Sequence, residues 1–158
     1  MRIKWLWVVL FAAITAAITM LVRIPIPGTG GYLNVGDMAV IFCGLFLRGW
    51  LGAIAGGVGS AIADILGGFF IFAPVTFIAK GLEGLIAGTL GTKSKYWLIP
   101  AVLAMVVLYF IAEILIPGMG FAAALSELPF NIIQAIVGGF GGYLIYNAVR
   151  MALPPPKK

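Results

Sequence analysis

The sequence predicts an all-α integral membrane protein, a compact bundle of six transmembrane helices with both termini cytoplasmic. Three observations predict it. Of 158 residues, 63% are hydrophobic and 9% charged, with a mean hydropathy of +1.15, and a soluble domain of this size needs far more polar surface. Apolar runs of nearly membrane-crossing length recur six times, the bilayer core of about 30 Å requiring about 20 helical residues. Finally, the basic residues gather at alternate breaks between those runs, as orientation in a bilayer demands.

The spans are expected at 4–22, 36–48, 50–66, 73–90, 97–115 and 128–149, within a single domain over residues 1–153 followed by a short disordered tail, 154–158. The first follows a basic start and runs into Arg23 without a polar cleavage region, so it is expected to be an uncleaved helix rather than a signal peptide. IPIPGTGGYLNVGD (24–37) is the longest connector and is either a lid or a plain link. Only Arg48-Gly49 parts the second and third spans, which predicts a tight hairpin. The other breaks are LGG (66–68), GTKSK (91–95), IPGMG (116–120) and PPP (154–156).

With the N-terminus inside, Arg2, Lys4, Arg48, Lys93, Lys95, Arg150, Lys157 and Lys158 all fall on the cytoplasmic side, and only Arg23 falls outside. Trp5, Trp7, Trp50 and Trp97 land at the inner interface. Four of the five acids, Asp37, Asp64, Glu113 and Glu127, lie toward the outer face. The chain has no histidine and one cysteine, Cys43, which excludes His-based triads and disulfides within the chain. GTGG has neither a preceding strand nor a following GK[ST], so it is a weak phosphate cradle. No catalytic residue and no metal site is expected.

FIAKGLEGLIAG (77–88) places Lys80 and Glu83 inside a span, Glu83 near the midplane. Each charge there costs on the order of 2.5–3.5 kcal/mol, so the pair must face protein or a wet cavity. Thr76, Lys80, Glu83 and Ala87 share one helix face. Similar stripes run through Gly56, Ser60 and Asp64, through Tyr109 and Glu113, and through Glu127, Asn131, Gln134 and Gly138. Four converging stripes predict a pocket open to the outside; simple neutralisation within the Lys80–Glu83 pair explains the other three less well. Tyr32, Asn34 and Asp37 are placed to close over a ligand. The first span also carries interleaved small-residue pairs, Ala12 with Ala16 and Ala13 with Ala17, suited to close helix approach within the bundle or with a partner.

AAITAA in the first span, the block GGYLNVGDMAVIFCGLFLRGWLGAIAGGVGSAIADILGG and TFIAKGLEGLIAG together resemble the substrate-binding S components of energy-coupling factor (ECF) vitamin transporters, over essentially the whole chain. The resemblance implies a multi-pass protein of the prokaryotic plasma membrane that captures a vitamin or precursor outside and works with a membrane-embedded T component and two ABC ATPases. ATP is used by those partners, and no cofactor belongs to this chain. It implies a partner face at Ala12, Ala13, Ala16 and Ala17. It also implies a ligand site holding Tyr32, Asn34, Asp37, Asp64, Thr76, Lys80, Glu83, Glu113, Asn131 and Gln134. Within the family, GYLNVGDMAV and FIAKGLEGLIAG look most like members assigned to hydroxymethylpyrimidine or pyridoxine, with riboflavin next. The alternatives are a stand-alone proton-coupled carrier and a structural membrane assembly protein.

Overall fold

The computed structural model describes residues 2–152; the expected tail at 154–158, with Lys157 and Lys158, lies outside the described residues. Six helices follow one another: α1 (Arg2–Leu21), α2 (Gly36–Leu47), α3 (Gly49–Gly67), α4 (Ala73–Ile86), α5 (Leu98–Leu115) and α6 (Phe121–Ala152). Four of them, α1, α3, α5 and α6, are long and apolar enough to cross a membrane. With α2 and α4 packed among them, the chain is an all-helical membrane protein.

The 12 residues of α2 rise only about 18 Å, too little to cross a bilayer core alone. It is instead an interior helix, with Val40, Ile41 and Cys43 at 0% exposure and contacts to α1, α3, α4 and α6. The apolar side chains left on the outside, among them Leu6, Leu103, Ile136 and Phe140, form a surface suited to lipid.

Small residues set how closely the helices cross. Gly44, Gly52 and Gly84 meet from α2, α3 and α4: a Cβ on Gly52 would stand 2.6 Å from the Gly44 Cα, and one on Gly44 would stand 2.6 Å from the Gly84 carbonyl. No side chain fits there. Just beyond, α4 widens into a π-helical turn over Ala87–Gly91, seated against the Arg48-Gly49 hairpin. Arg48 takes a left-handed φ of 62°, the tight reversal expected between the second and third spans.

Two expectations are corrected. The reading of GTGG without a preceding strand does not hold: β1 (Arg23–Pro25) precedes it and pairs antiparallel with β2 (Tyr32–Asn34), giving a short ribbon beside the helices. The sixth helix begins at Phe121 rather than 128. Pro129 reads as a first-turn residue because proline suits that position; here it lies inside the helix and forgoes one backbone bond. Glu127 consequently sits within α6, one turn before Asn131 on the same face.

Candidate functional site

At the end of the bundle away from the Arg48 hairpin, the ribbon and helices enclose a polar chamber lined by Thr19, Gly31, Tyr32, Asn34, Ser60, Asp64, Phe72, Thr76, Lys80, Tyr109, Glu127, Asn131 and Gln134. All five carboxylates of the sequence are buried at or just behind its walls. The periodicity of each helix explains this, since every polar stripe turns the same way and the intervening Leu, Ile and Phe turn outward.

Lys80 is 2% exposed. Its ammonium pairs with Asp37 of α2, and Glu83 lies 3.6 Å away on the next turn. The expected Lys80–Glu83 pair is thus the outer part of a triad in which Asp37 is the nearer partner. Gln134 joins this triad to the ribbon: its Nε2 donates to Asp37 Oδ2 at 3.3 Å, and its Oε1 accepts from the Asn34 backbone N–H at 2.8 Å. Gly138 permits this, because any Cβ there would overlap Asp37. Asn34 Oδ1 in turn accepts the Gly36 N–H at 2.8 Å, tying the ribbon's end to the start of α2.

On the opposite wall, the Tyr32 hydroxyl donates to Asp64 Oδ1 at 2.5 Å. Burial, then the neighbouring Asp64 carboxylate, push the Tyr32 phenol well above the ordinary tyrosine range, so it keeps its proton and acts as donor. Its ring meets Phe69 at 4.5 Å, and the Arg23 guanidinium lies over both rings while donating to the Ala63 carbonyl at 2.6 Å. Thr76 and Tyr109 share a hydrogen bond of 2.7 Å across α4 and α5.

Of the ten expected ligand residues, Tyr32, Asn34, Asp64, Thr76, Lys80, Asn131 and Gln134 line the chamber. Asp37, Glu83 and Glu113 stand behind that wall. Thr19, Gly31, Ser60, Phe72, Tyr109 and Glu127 also line it and were outside the expected set. Ser60, Tyr109 and Glu127 lie on stripes legible in the sequence; Thr19, Gly31 and Phe72 carry no such signal. The free space is about 30 Å³, room for about two waters. A wider cleft of about 380 Å³ lies between the outer loops at Thr29, Phe69 and Ile116–Met119, and Phe72 borders both spaces.

The four alanines of the expected partner face divide. Ala12 and Ala16 are buried, Ala12 lying against Gly59 of α3, whereas Ala13 and Ala17 are exposed on the outer side of α1. Within the bundle, then, only one of the two small-residue pairs is used.

A small helical membrane protein with a buried, hydrogen-bonding chamber at one end has the groups that suit a small polar solute. The chain belongs to the family described as ECF-type riboflavin transporter, S component, which it matches over residues 4–151; it is a transporter component and not an enzyme. It is 37% identical over 141 residues to an uncharacterized protein in gap 3'region of Pyrococcus woesei, covering 83% of this chain and 93% of that one. It is 34% identical over 131 residues to the thiamine precursor transporter HmpT of Lactococcus lactis subsp. cremoris (strain MG1363), covering 82% of this chain and 76% of the relative.

Proposed function

We propose that the protein captures a small heteroaromatic vitamin or vitamin precursor, of the hydroxymethylpyrimidine or pyridoxine kind, from outside a prokaryotic plasma membrane. A T component and two ABC ATPases then drive its delivery inward. The observation that carries this reading is the convergence of polar side chains from α3, α4, α5, α6 and the ribbon on one chamber. The name of the Lactococcus relative, a thiamine precursor transporter, supports a thiamine precursor. The family description favours riboflavin, but three fused rings with a sugar-alcohol chain demand far more widening of a 30 Å³ space than one six-membered ring does. Either ligand requires the ribbon and the loop at Phe72 to move.

Orientation follows from charge. Lys4, Arg48, Lys93, Lys95 and Arg150 collect at the end opposite the chamber, which by the preference of basic residues for the inner side supports a cytoplasmic location for that end and a bundle of six membrane helices. The outward alanines, Ala13 and Ala17, form the face for the T component.

Mass spectrometry of small molecules that accompany the purified chain, followed by titration of the candidate found, tests the reading. A pyrimidine or pyridine bound tightly by the chain alone, with accumulation only when the T component and ATPases are present, is the expected result. The unpartnered carboxylate oxygens in the chamber favour a second reading, a stand-alone proton-coupled carrier. Uptake into vesicles by the chain alone under a proton gradient would establish that reading and remove the first.

A further inference from the structure

We propose that Glu127, backed by Glu113, is the subsite that takes a positively charged or doubly N–H-donating nitrogen group of the ligand, such as the amino-substituted edge of a heteroaromatic ring. This rests on the heteroaromatic reading above and adds which functional group is recognised and where.

Glu127 lines the chamber and is 3% exposed, while Glu113 behind it is 1% exposed. Asn131, one turn from Glu127 on α6, reaches Glu113, which brings the two glutamates to the same wall. Glu127 Oε1 and Glu113 Oε2 are buried without any hydrogen-bond partner. Among the described residues, the side-chain hydrogen bond the pair receives is from Asn131, whose Nδ2 reaches Glu113 Oε1 at a long 3.4 Å.

Two buried carboxyls on one wall call for a positive partner, and among the described residues no nearby side chain supplies it. Lys80 is engaged by Asp37 and Glu83, and Arg23 by the Ala63 carbonyl and two rings. Around the chamber as a whole, five carboxylates face these two cations, so a ligand that brings positive charge or N–H donors is favoured over an anion.

The ribbon adds a closing element. Gly31 presses its backbone on the Glu127 carboxylate, so closely that any Cβ would overlap it. A nitrogen group held by Glu127 is therefore covered by the ribbon.

The test is calorimetric titration of the purified full chain with 4-amino-5-hydroxymethyl-2-methylpyrimidine and with its 4-oxo counterpart, whose ring edge accepts where the amine donates. The native chain is expected to bind the amino compound at least about tenfold more tightly, the scale of one charge-assisted hydrogen bond. Glu127→Gln brings the ratio of the two Kd values toward one, and Glu113→Gln does so independently, so a folding defect in one variant does not decide the outcome. A ratio near one in the native chain, or a ratio unchanged in both variants, overturns the subsite while leaving the heteroaromatic reading in place. Failure of the native chain to bind either compound, and pyridoxine as well, overturns both.

Discussion

Lys80 shows what a helical period can and cannot reveal. Its position on a shared face with Thr76 and Glu83 is legible from spacing alone, and so is its need for shelter from lipid. Its nearer partner, Asp37, is not, because nothing local in either segment sets the register of α4 against α2. Removing one member of a buried ion pair leaves uncompensated charge, so Lys80→Met is expected to lower stability by about 3–5 kcal/mol, measured as the unfolding free energy in detergent. Gln134→Ala loses two hydrogen bonds that tie the ribbon to Asp37; ligand affinity is expected to fall at least about tenfold, read by titration. Tyr32 carries a pH prediction. Its phenol holds the proton more tightly in the folded protein than in the unfolded chain. The resulting stability is fully present below about pH 10 and declines as pH rises past the ordinary tyrosine value. Thermal melts of Tyr32→Phe between pH 9 and 11, taken as a window of about one unit either side, are expected to show a shallower decline than those of the native chain.

At the level of elements, the sequence marks helices well and their starts less well. Apolar length and Gly-Pro punctuation locate five of the six within a residue or two, α4 being taken together with its π-helical turn to Gly91. The exception is α6, where Pro129 signals a start that the chain does not take. That displacement matters for chemistry, since it puts Glu127 inside the helix, facing the chamber, instead of at the expected opening of the span. Glycine spacing announces close crossings but not which helices meet. The junction of Gly44, Gly52 and Gly84 makes the strongest case. Gly84→Leu is expected to cost at least about 1–3 kcal/mol through overpacking, seen as a lower unfolding midpoint and loss of a monodisperse species. Gly68→Ala, at a helix end with open space around it, serves as the milder comparison, affected only by its left-handed backbone.

For the molecule as a whole, charge is sorted end to end. Acids gather around the chamber, while most of the described bases occupy the far end. This polarity was legible from the sequence, because basic residues and acids fall at opposite ends of successive spans. The division of the alanine face was not, since equal spacing gives two equivalent pairs until α3 claims one. Ala13→Trp or Ala17→Trp is expected to preserve ligand affinity while abolishing ATP-driven uptake in vesicles containing the T component and ATPases. The same replacement at Ala16 is expected to disturb the bundle itself and lower its unfolding midpoint. Intact uptake with tryptophan at both outward positions would move the docking surface elsewhere.

The brevity of α2 has a geometric consequence. Anchored at the Arg48 hairpin, a helix of about 18 Å ends roughly 12 Å short of the far surface of a 30 Å hydrocarbon layer. Asp37, at its first turn, marks the bottom of that shortfall, and the ribbon fills the space above. Irregular backbone is tolerable at such a depth because protein surrounds it. In the proposed orientation, a solute held there would sit more than a third of the way through the barrier without touching an acyl tail.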